Sequence, residues 1–366
     1  MMNSATVLPL PPQSNLESRL VLKTLTQAHR YLAELKGMAA TIPNELILIN
    51  TLTVQEAKDS SEIENVITTY DHLYKTSLFT VSAKHPPAKE VERYAAALRT
   101  AYVEIKDDQL LTVNRIIKIQ EALIQNDAGF RKVPGTSLKN EKTGETVYTP
   151  PQSEAEIVRL MKNLEQYIND DSLSNVDALV KMAVIHHQFE SIHPFYDGNG
   201  RTGRIVNILY LLAKELLDLP ILYLSRYIVH SKHEYYQLLQ FTRDTGDWEP
   251  WIVYMLKGVE HTSRQAIWLI RQIRDVMLET KHKMRTQLPK IYSQELLNNL
   301  FWHPYTKIEF VENQLDVSRL TARRYLELLA QNGIVEKHRY GRYNFYINRP
   351  LMDIFTGMPA VSEKSH

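Results

Sequence analysis

A chain of 366 residues is long enough for two or three domains, and 44% hydrophobic with 23% charged residues is ordinary globular composition. The net charge of +1 excludes a global attraction to nucleic acid or membrane, and the absence of cysteine excludes disulfides, thiolate metal sites and cysteine nucleophiles. No basic, apolar leader opens the chain and no apolar run approaches roughly 18 residues, so the expectation is a cytoplasmic protein without a membrane span.

After a proline-rich arm over residues 1–15, apolar residues at threes and fours predict a helix over 18–41, which Pro43 interrupts. A second helix is expected over 44–69. It reads as buried, yet it contains Ser60, Ser61, Glu62 and Glu64, and Ser60 and Glu64 stand four apart on one face. Residues 71–87 read as a connector, followed by helices over 88–106 and 113–125. Turn chemistry then takes over between Gly129 and Pro151: Lys142-Thr143-Gly144 would turn a β-hairpin with Leu138 and Val147-Tyr148 on its arms. A helix over 153–169 leads to another ending near Ile192, with Asn175 or Asp177 as its cap.

The stretch His193–Arg204, H-P-F-Y-D-G-N-G-R-T-G-R, concentrates the chemistry. It holds an imidazole (His193), a carboxylate (Asp197), an amide (Asn199), two guanidiniums (Arg201 and Arg204) and three glycines. Gly198, Gly200 and Gly203 let backbone N–H groups form an anion-binding nest, and the apolar helix that follows over 202–216 would turn its positive end to the same anion. G-x-G-x-x-G is satisfied here, but the preceding segment is helical, so a dinucleotide fingerprint fails on context. A Walker A loop fails on chemistry, because Arg204 and Ile205 stand where Lys and Ser or Thr are needed. His186 and His187 point about 100° apart on a helix and cannot easily share a zinc ion with His193.

The twelve-residue string resembles the signature of the Fic family, H-x-F-x-[DE]-G-N-G-R-x-x-R, and matches every fixed position. That resemblance implies a protein adenylyltransferase moving AMP from ATP to a Ser, Thr or Tyr hydroxyl of a target protein and of itself. Carried over, His193 is the base and Asp197 holds Mg2+. Gly198, Asn199 and Gly200 bind the α-phosphate, and Arg201 and Arg204, with Thr202 and Gly203 between them, complete the polyphosphate site. Phe195 anchors the loop in the core. Ser60-x-x-x-Glu64-Asn65 resembles the family's inhibitory motif, which implies that Glu64 pairs with Arg204 and blocks the γ-phosphate. The hairpin at 130–150 resembles the flap that docks the target's backbone. Tyr235 and Tyr236 match a tyrosine pair that lines the nucleotide in similar proteins, and Tyr227 is a further aromatic on the adenine side.

Further helices are expected over 223–230, 234–243 and 247–285, the last anchored by Trp248 and Trp251. Residues 281–350 hold twelve Lys+Arg against six Asp+Glu. There, helices over 305–313 and 318–331 and a hairpin over 334–347 turning at Gly341 resemble a winged helix-turn-helix. Arg319, Arg323 and Arg324, with Ser318 and Thr321, would face DNA, and Arg339 and Arg342 would sit on the wing. The same module serves protein contact or dimerisation in other chains, so DNA, a protein or a second copy are all open as partners. The expected architecture is therefore mainly α: an N-terminal segment (1–110) with the inhibitory motif, a Fic-type helical core (111–280) with its flap, and a winged-helix domain with its tail (281–366). Alternatives are transfer of a different nucleotide moiety, hydrolytic removal of AMP with Glu64 orienting water, and a DNA-binding regulator whose Fic domain senses nucleotide.

Overall fold

Helix α1 (Arg19–Ala39) buries Val21, Leu25, Ala28, Leu32, Leu35 and Ala39, an alternation of threes and fours that lays one stripe along the long helix α11 (Glu249–Gln287). A computed structural model describes residues 7–78, 86–139, 143–340 and 343–357 of the chain. Lys142, Gly341 and Arg342, the expected turn residues of the two hairpins, lie outside them.

Helix α2 (Glu45–Ile63) is buried on nearly every side. Its polar residues Thr51, Thr53, Gln55, Glu56, Asp59, Ser60 and Ser61 are as enclosed as Leu48 and Leu52. It packs against α4 (Pro86–Asp108) and α9 (Leu224–His230). It stops six residues short of the expected Thr69, because Asn65 adopts φ 61°. Asn tolerates the left-handed region, and there the Asn65 and Val66 N–H groups turn back onto the Glu62 and Ser61 carbonyls. Glu64 is thus the C-cap of α2 rather than part of its face, which frees its side chain to reach forward.

The expected connector after it contains a helix, α3 (Tyr70–Leu78). Leu73 and Tyr74 are buried, and Tyr74 stacks on Tyr305 at 5.5 Å, so a tertiary contact supports a segment too short to show periodicity. Helix α5 (Val113–Ile124) leads into strands β1 (Leu138–Lys139) and β2 (Thr146–Tyr148), paired antiparallel with Leu138 opposite Tyr148. Helices α6 (Glu154–Asn169), α7 (Ala178–Ile192), α8 (Asn199–Ala213) and α10 (Lys232–Thr245) complete the bundle. The indole of Trp251 is fully buried and donates to the Ala183 carbonyl at 2.8 Å, tying α11 to α7.

Helix α11 runs unbroken through the boundary expected at residue 280. Beyond it come α12 (Gln294–Trp302), which the sequence reading missed, then β3 (Tyr305–Thr306) and α13 (Ile308–Leu315). Tyr305 therefore starts a strand, not a helix. Pro304 precedes it, and the Thr306 hydroxyl donates to buried Asn299 at 3.0 Å, which holds the segment extended. α14 (Arg319–Gln331), β4 (Glu336–Tyr340), β5 (Tyr343–Ile347) and an unanticipated α15 (Arg349–Thr356) follow, with a sheet order β3-β5-β4, all antiparallel. This C-terminal unit packs on α2, α3 and α11. Among the described residues no helix is long and apolar enough to cross a membrane.

Replacing Trp251 by Ala removes the largest fully buried side chain and its hydrogen bond. The expected cost is about 3–5 kcal/mol, read as a lower urea midpoint at unchanged slope.

Candidate active site

The signature loop is built by the helices on either side of it. His193 caps α7 in the left-handed region (φ 47°), with its N–H on the Phe189 carbonyl at 2.9 Å. Phe195 is fully buried against Phe130, with ring centroids 5.4 Å apart, and anchors the loop as expected for an apolar plug. The amide of Asn199 closes the loop from inside: it accepts from the Phe195 N–H and donates to the Phe195 carbonyl, both at 2.8 Å. Its carbonyl oxygen and one of its two amide N–H groups are thereby engaged with the loop, which leaves the second N–H for a ligand.

Arg131 was not singled out in the sequence, yet it holds the loop from the other side. Its side chain is buried; Nε donates to the His193 carbonyl at 2.8 Å and Nη2 to the Pro151 carbonyl at 2.9 Å, while its own N–H donates to the Pro194 carbonyl at 2.8 Å. The Tyr148 hydroxyl, on β2, donates to the Ser191 carbonyl at 2.8 Å, and the Tyr196 hydroxyl accepts from the Lys132 and Val133 N–H groups. The base of the hairpin and the histidine loop are therefore one hydrogen-bonded piece.

Helix α8 begins at Gly198 (φ 80°), which offers no side chain to its first-turn N–H groups. A Cβ there would lie 2.8 Å from Ile124 Cδ1, so both the backbone angle and the space require glycine. Over this open helix end sits the carboxylate of Glu64; a Cβ on Gly200 would collide with its Oε1. Anions are favoured at a helix N-terminus, and Glu64 fills that place. Arg204 is 2% exposed and donates to three oxygens: Ser60 Oγ at 2.7 Å, the Ser60 carbonyl at 2.9 Å and Glu64 Oε1 at 2.9 Å. Burial would raise the Glu64 carboxyl, but the charge and hydrogen bond of Arg204 hold it below its ordinary value. Burial would likewise lower Arg204, and Glu64 more than reverses it. Asn65 accepts from Lys232 Nζ at 3.3 Å. Arg201 pairs with Glu90 of α4 at 3.0 Å and lies 3.7 Å from Asp197.

Burial and the nearby Arg131 and Arg243 guanidiniums push the His193 imidazole down to about 4, so it is neutral at neutral pH and able to accept a proton. Arg243 also stacks over the Tyr148 ring at 4.0 Å and donates to Ser191 Oγ at 2.9 Å. The Glu190 carboxyl, buried behind Gly203, is raised to about 7 by burial. Thr202 is fully buried. Asp197 is the exposed carboxylate of the loop, its Oδ1 accepting from the Gly198 N–H at 2.6 Å. One outward carboxylate beside a helix end is a fitting donor set for magnesium, which keeps several waters and takes its other ligands from substrate phosphates.

The three aromatic candidates lie in one chain of rings that runs through Tyr254. Tyr235 is buried, with its hydroxyl on His186 at 2.9 Å and its ring against Trp251, so it belongs to the core. Tyr236 is exposed beside it, and Tyr227 is half-buried against Tyr254. His187 bonds the Leu239 carbonyl, and burial pushes both His186 and His187 down to about 3. In the C-terminal unit, Arg319 lies 3.5 Å from Glu312, Lys337 pairs with Glu327 and Arg349 with Glu336. Of the expected basic face, Arg319 lies near carboxylates, whereas Arg323 and Arg324 are exposed.

A helix N-terminus flanked by two arginines and a histidine, set in a helical bundle beside a hairpin, is the structural setting of the signature string. Three family models match in succession: Fic/DOC family N-terminal over residues 22–103, Fic/DOC family over 110–211, and Protein adenylyltransferase SoFic-like, C-terminal domain, over 276–351. The chain belongs to the Fic/DOC family. A Fic family protein from Desulfovibrio desulfuricans shares the fold over 92% of this chain and 98% of its own, with TM-score 0.60 and 20% identity. Fic-1 from Caenorhabditis elegans matches with TM-score 0.53 and 20% identity, over 69% of this chain and 73% of that structure. In sequence, Protein adenylyltransferase fic-1 of C. elegans is 28% identical over 130 residues, covering 36% of this chain and 24% of the relative. Protein adenylyltransferase Fic of Drosophila willistoni is 26% identical over 151 residues, 40% of this chain and 28% of the relative. The chain thus spans about a quarter of these curated relatives' length.

Gly198→Ala meets both a left-handed backbone angle and the Ile124 side chain. Its expected cost is about 1–3 kcal/mol in thermal or urea unfolding, where an ordinary exposed glycine would show well under 1.

Proposed function

We propose that this chain is a protein adenylyltransferase that transfers AMP from ATP to a hydroxyl side chain of a target protein and of itself, and that Glu64 holds it inactive. The observation that carries this reading is the placement of one carboxylate, Glu64, on both Arg204 and the open end of α8, beside a neutral His193. Those are the places a triphosphate needs.

With Glu64 withdrawn, the α-phosphate lies against the first-turn N–H groups of α8, and Arg201 and Arg204 take the outer phosphates. The target oxygen attacks the α-phosphorus, forming an O–P bond as the bond to the β-phosphate oxygen breaks. Pyrophosphate leaves, and the hydroxyl proton passes to the His193 imidazole, which Arg131 orients through the backbone. Asp197 would hold magnesium, which when bound neutralises phosphate charge. The target's backbone docks along the hairpin at 130–150, whose base is fastened to the histidine loop, so docking there sets the hydroxyl's approach to His193. We read residues 281–350 as a winged-helix module, with exposed Arg323 and Arg324 on its second helix.

Incubated with ATP and magnesium, Glu64→Gly gains one AMP per modified hydroxyl in intact-mass spectrometry, at a rate about tenfold or more above the unaltered chain. His193→Ala in the same background loses about 10²–10⁴ of that rate. No gain with any nucleotide rules the assignment out; gain with a nucleotide other than ATP keeps the site and changes the substrate.

The pH profile tests the base independently. A group whose pKa is depressed to about 4 stays neutral as pH falls through 6.5 and protonates only below that. For Glu64→Gly, kcat/KM should stay level through pH 6.5 and fall only near pH 4. Half-loss near 6.5 would show that another group, or a solvated His193, controls the rate.

A further inference from the structure

Both signature arginines are held by carboxylates, and both carboxylates come from the N-terminal helices. Arg204 takes Glu64 from the end of α2, and Arg201 takes Glu90 from the first turns of α4, with Nη1 to Oε2 at 3.0 Å. The guanidinium of Arg201 is 6% exposed, and its second terminal nitrogen, Nη2, lies 3.7 Å from Asp197. Each of its outward nitrogens therefore already faces a carboxylate oxygen where a phosphate oxygen would bind. Arg201 also contributes to lowering Glu64, so the two ion pairs form one charge cluster around the head of α8. Removing Glu64 leaves the Glu90–Arg201 pair in place.

We propose that Glu90 is a second phosphate-mimicking carboxylate, which sets nucleotide affinity by competing with a polyphosphate for Arg201. This rests on the adenylyltransferase reading of the site. Glu90 and Glu64 are each about a third exposed, but Glu64 lies over the helix end itself while Glu90 reaches Arg201 to its side. A carboxylate beside the helix end need not leave for catalysis; it must only yield Arg201 to the incoming phosphate, so its effect falls on binding rather than on the chemical step. The repulsion between Glu90 and a phosphate bearing several negative charges acts in the same direction. A residue that merely held Arg201 in place would do the reverse, because its loss would let the guanidinium drift and weaken the nucleotide.

The test is calorimetric titration of ATP with magnesium into Glu64→Gly and into Glu64→Gly/Glu90→Gln, with adenylylation rates measured on both. Glutamine keeps the side chain's size and a hydrogen-bonding oxygen while removing the charge. The double variant should bind ATP about fivefold more tightly, with a matching fall in the KM for ATP and an unchanged kcat. Equal or weaker ATP binding in the double variant, while Glu64→Gly binds ATP and transfers AMP, overturns the role of Glu90 and leaves the transferase reading intact. Failure of Glu64→Gly to bind, or to be modified with, any nucleotide overturns both.

Discussion

A buried guanidinium must have a counter-charge, and Arg204 is where that requirement shapes this protein. It lies at 2% exposure between α2 and α8, with Ser60 and Glu64 as its partners. Taking away Glu64, itself about a third exposed, leaves the buried guanidinium without its counter-charge, which is unfavourable. The resting state is therefore secured as long as nothing else offers Arg204 a negative charge. On the proposed function a nucleotide's phosphates are such an offer, and the inactive and active states would differ in which anion the arginine holds. Ser60 contributes through its carbonyl as well as its hydroxyl, so the end of α2 is shaped to hold the arginine even at the backbone level.

That arrangement depends on where α2 ends. Had the helix continued to Thr69, Glu64 would have pointed along a helical face. Instead, the left-handed turn at Asn65 makes Glu64 the cap and projects it over Gly200. The other half of the site is equally positional. Gly198 admits the turn, Asn199 closes the loop on Phe195, and Arg131 ties the His193 carbonyl to the base of the hairpin. Burial among positive groups holds the histidine neutral, which leaves its lone pair open to a proton while weakening it as a base.

Much of this was legible in the sequence because local patterns carried it. The stripes of α1, α5, α6 and α7 have helical spacing, and the string from His193 to Arg204 packs its chemistry into consecutive residues, so no tertiary knowledge was needed to find it. Ser60 and Glu64 were found through a motif, although the helix around them was drawn too long; a single Asn in the left-handed region leaves little trace in periodicity. What was not legible came from contacts between distant segments. Arg131 looks like an ordinary hairpin residue until its three carbonyl partners are seen, and Glu90 is one charge among many on α4. Tyr235 matched a nucleotide-lining pattern, but its hydroxyl is engaged by His186 in the core. α3 and β3 are held by stacking of Tyr74 on Tyr305, across 231 positions of sequence that no local window spans.

The exchange of anions on Arg204 is tested most directly by determining the structure of Glu64→Gly with ATP and magnesium. The account predicts the Arg204 guanidinium on an outer phosphate, with the α-phosphate over the first turn of α8 and within reach of His193. A nucleotide bound elsewhere, with Arg204 still on Ser60 and no phosphate at the head of α8, would contradict it.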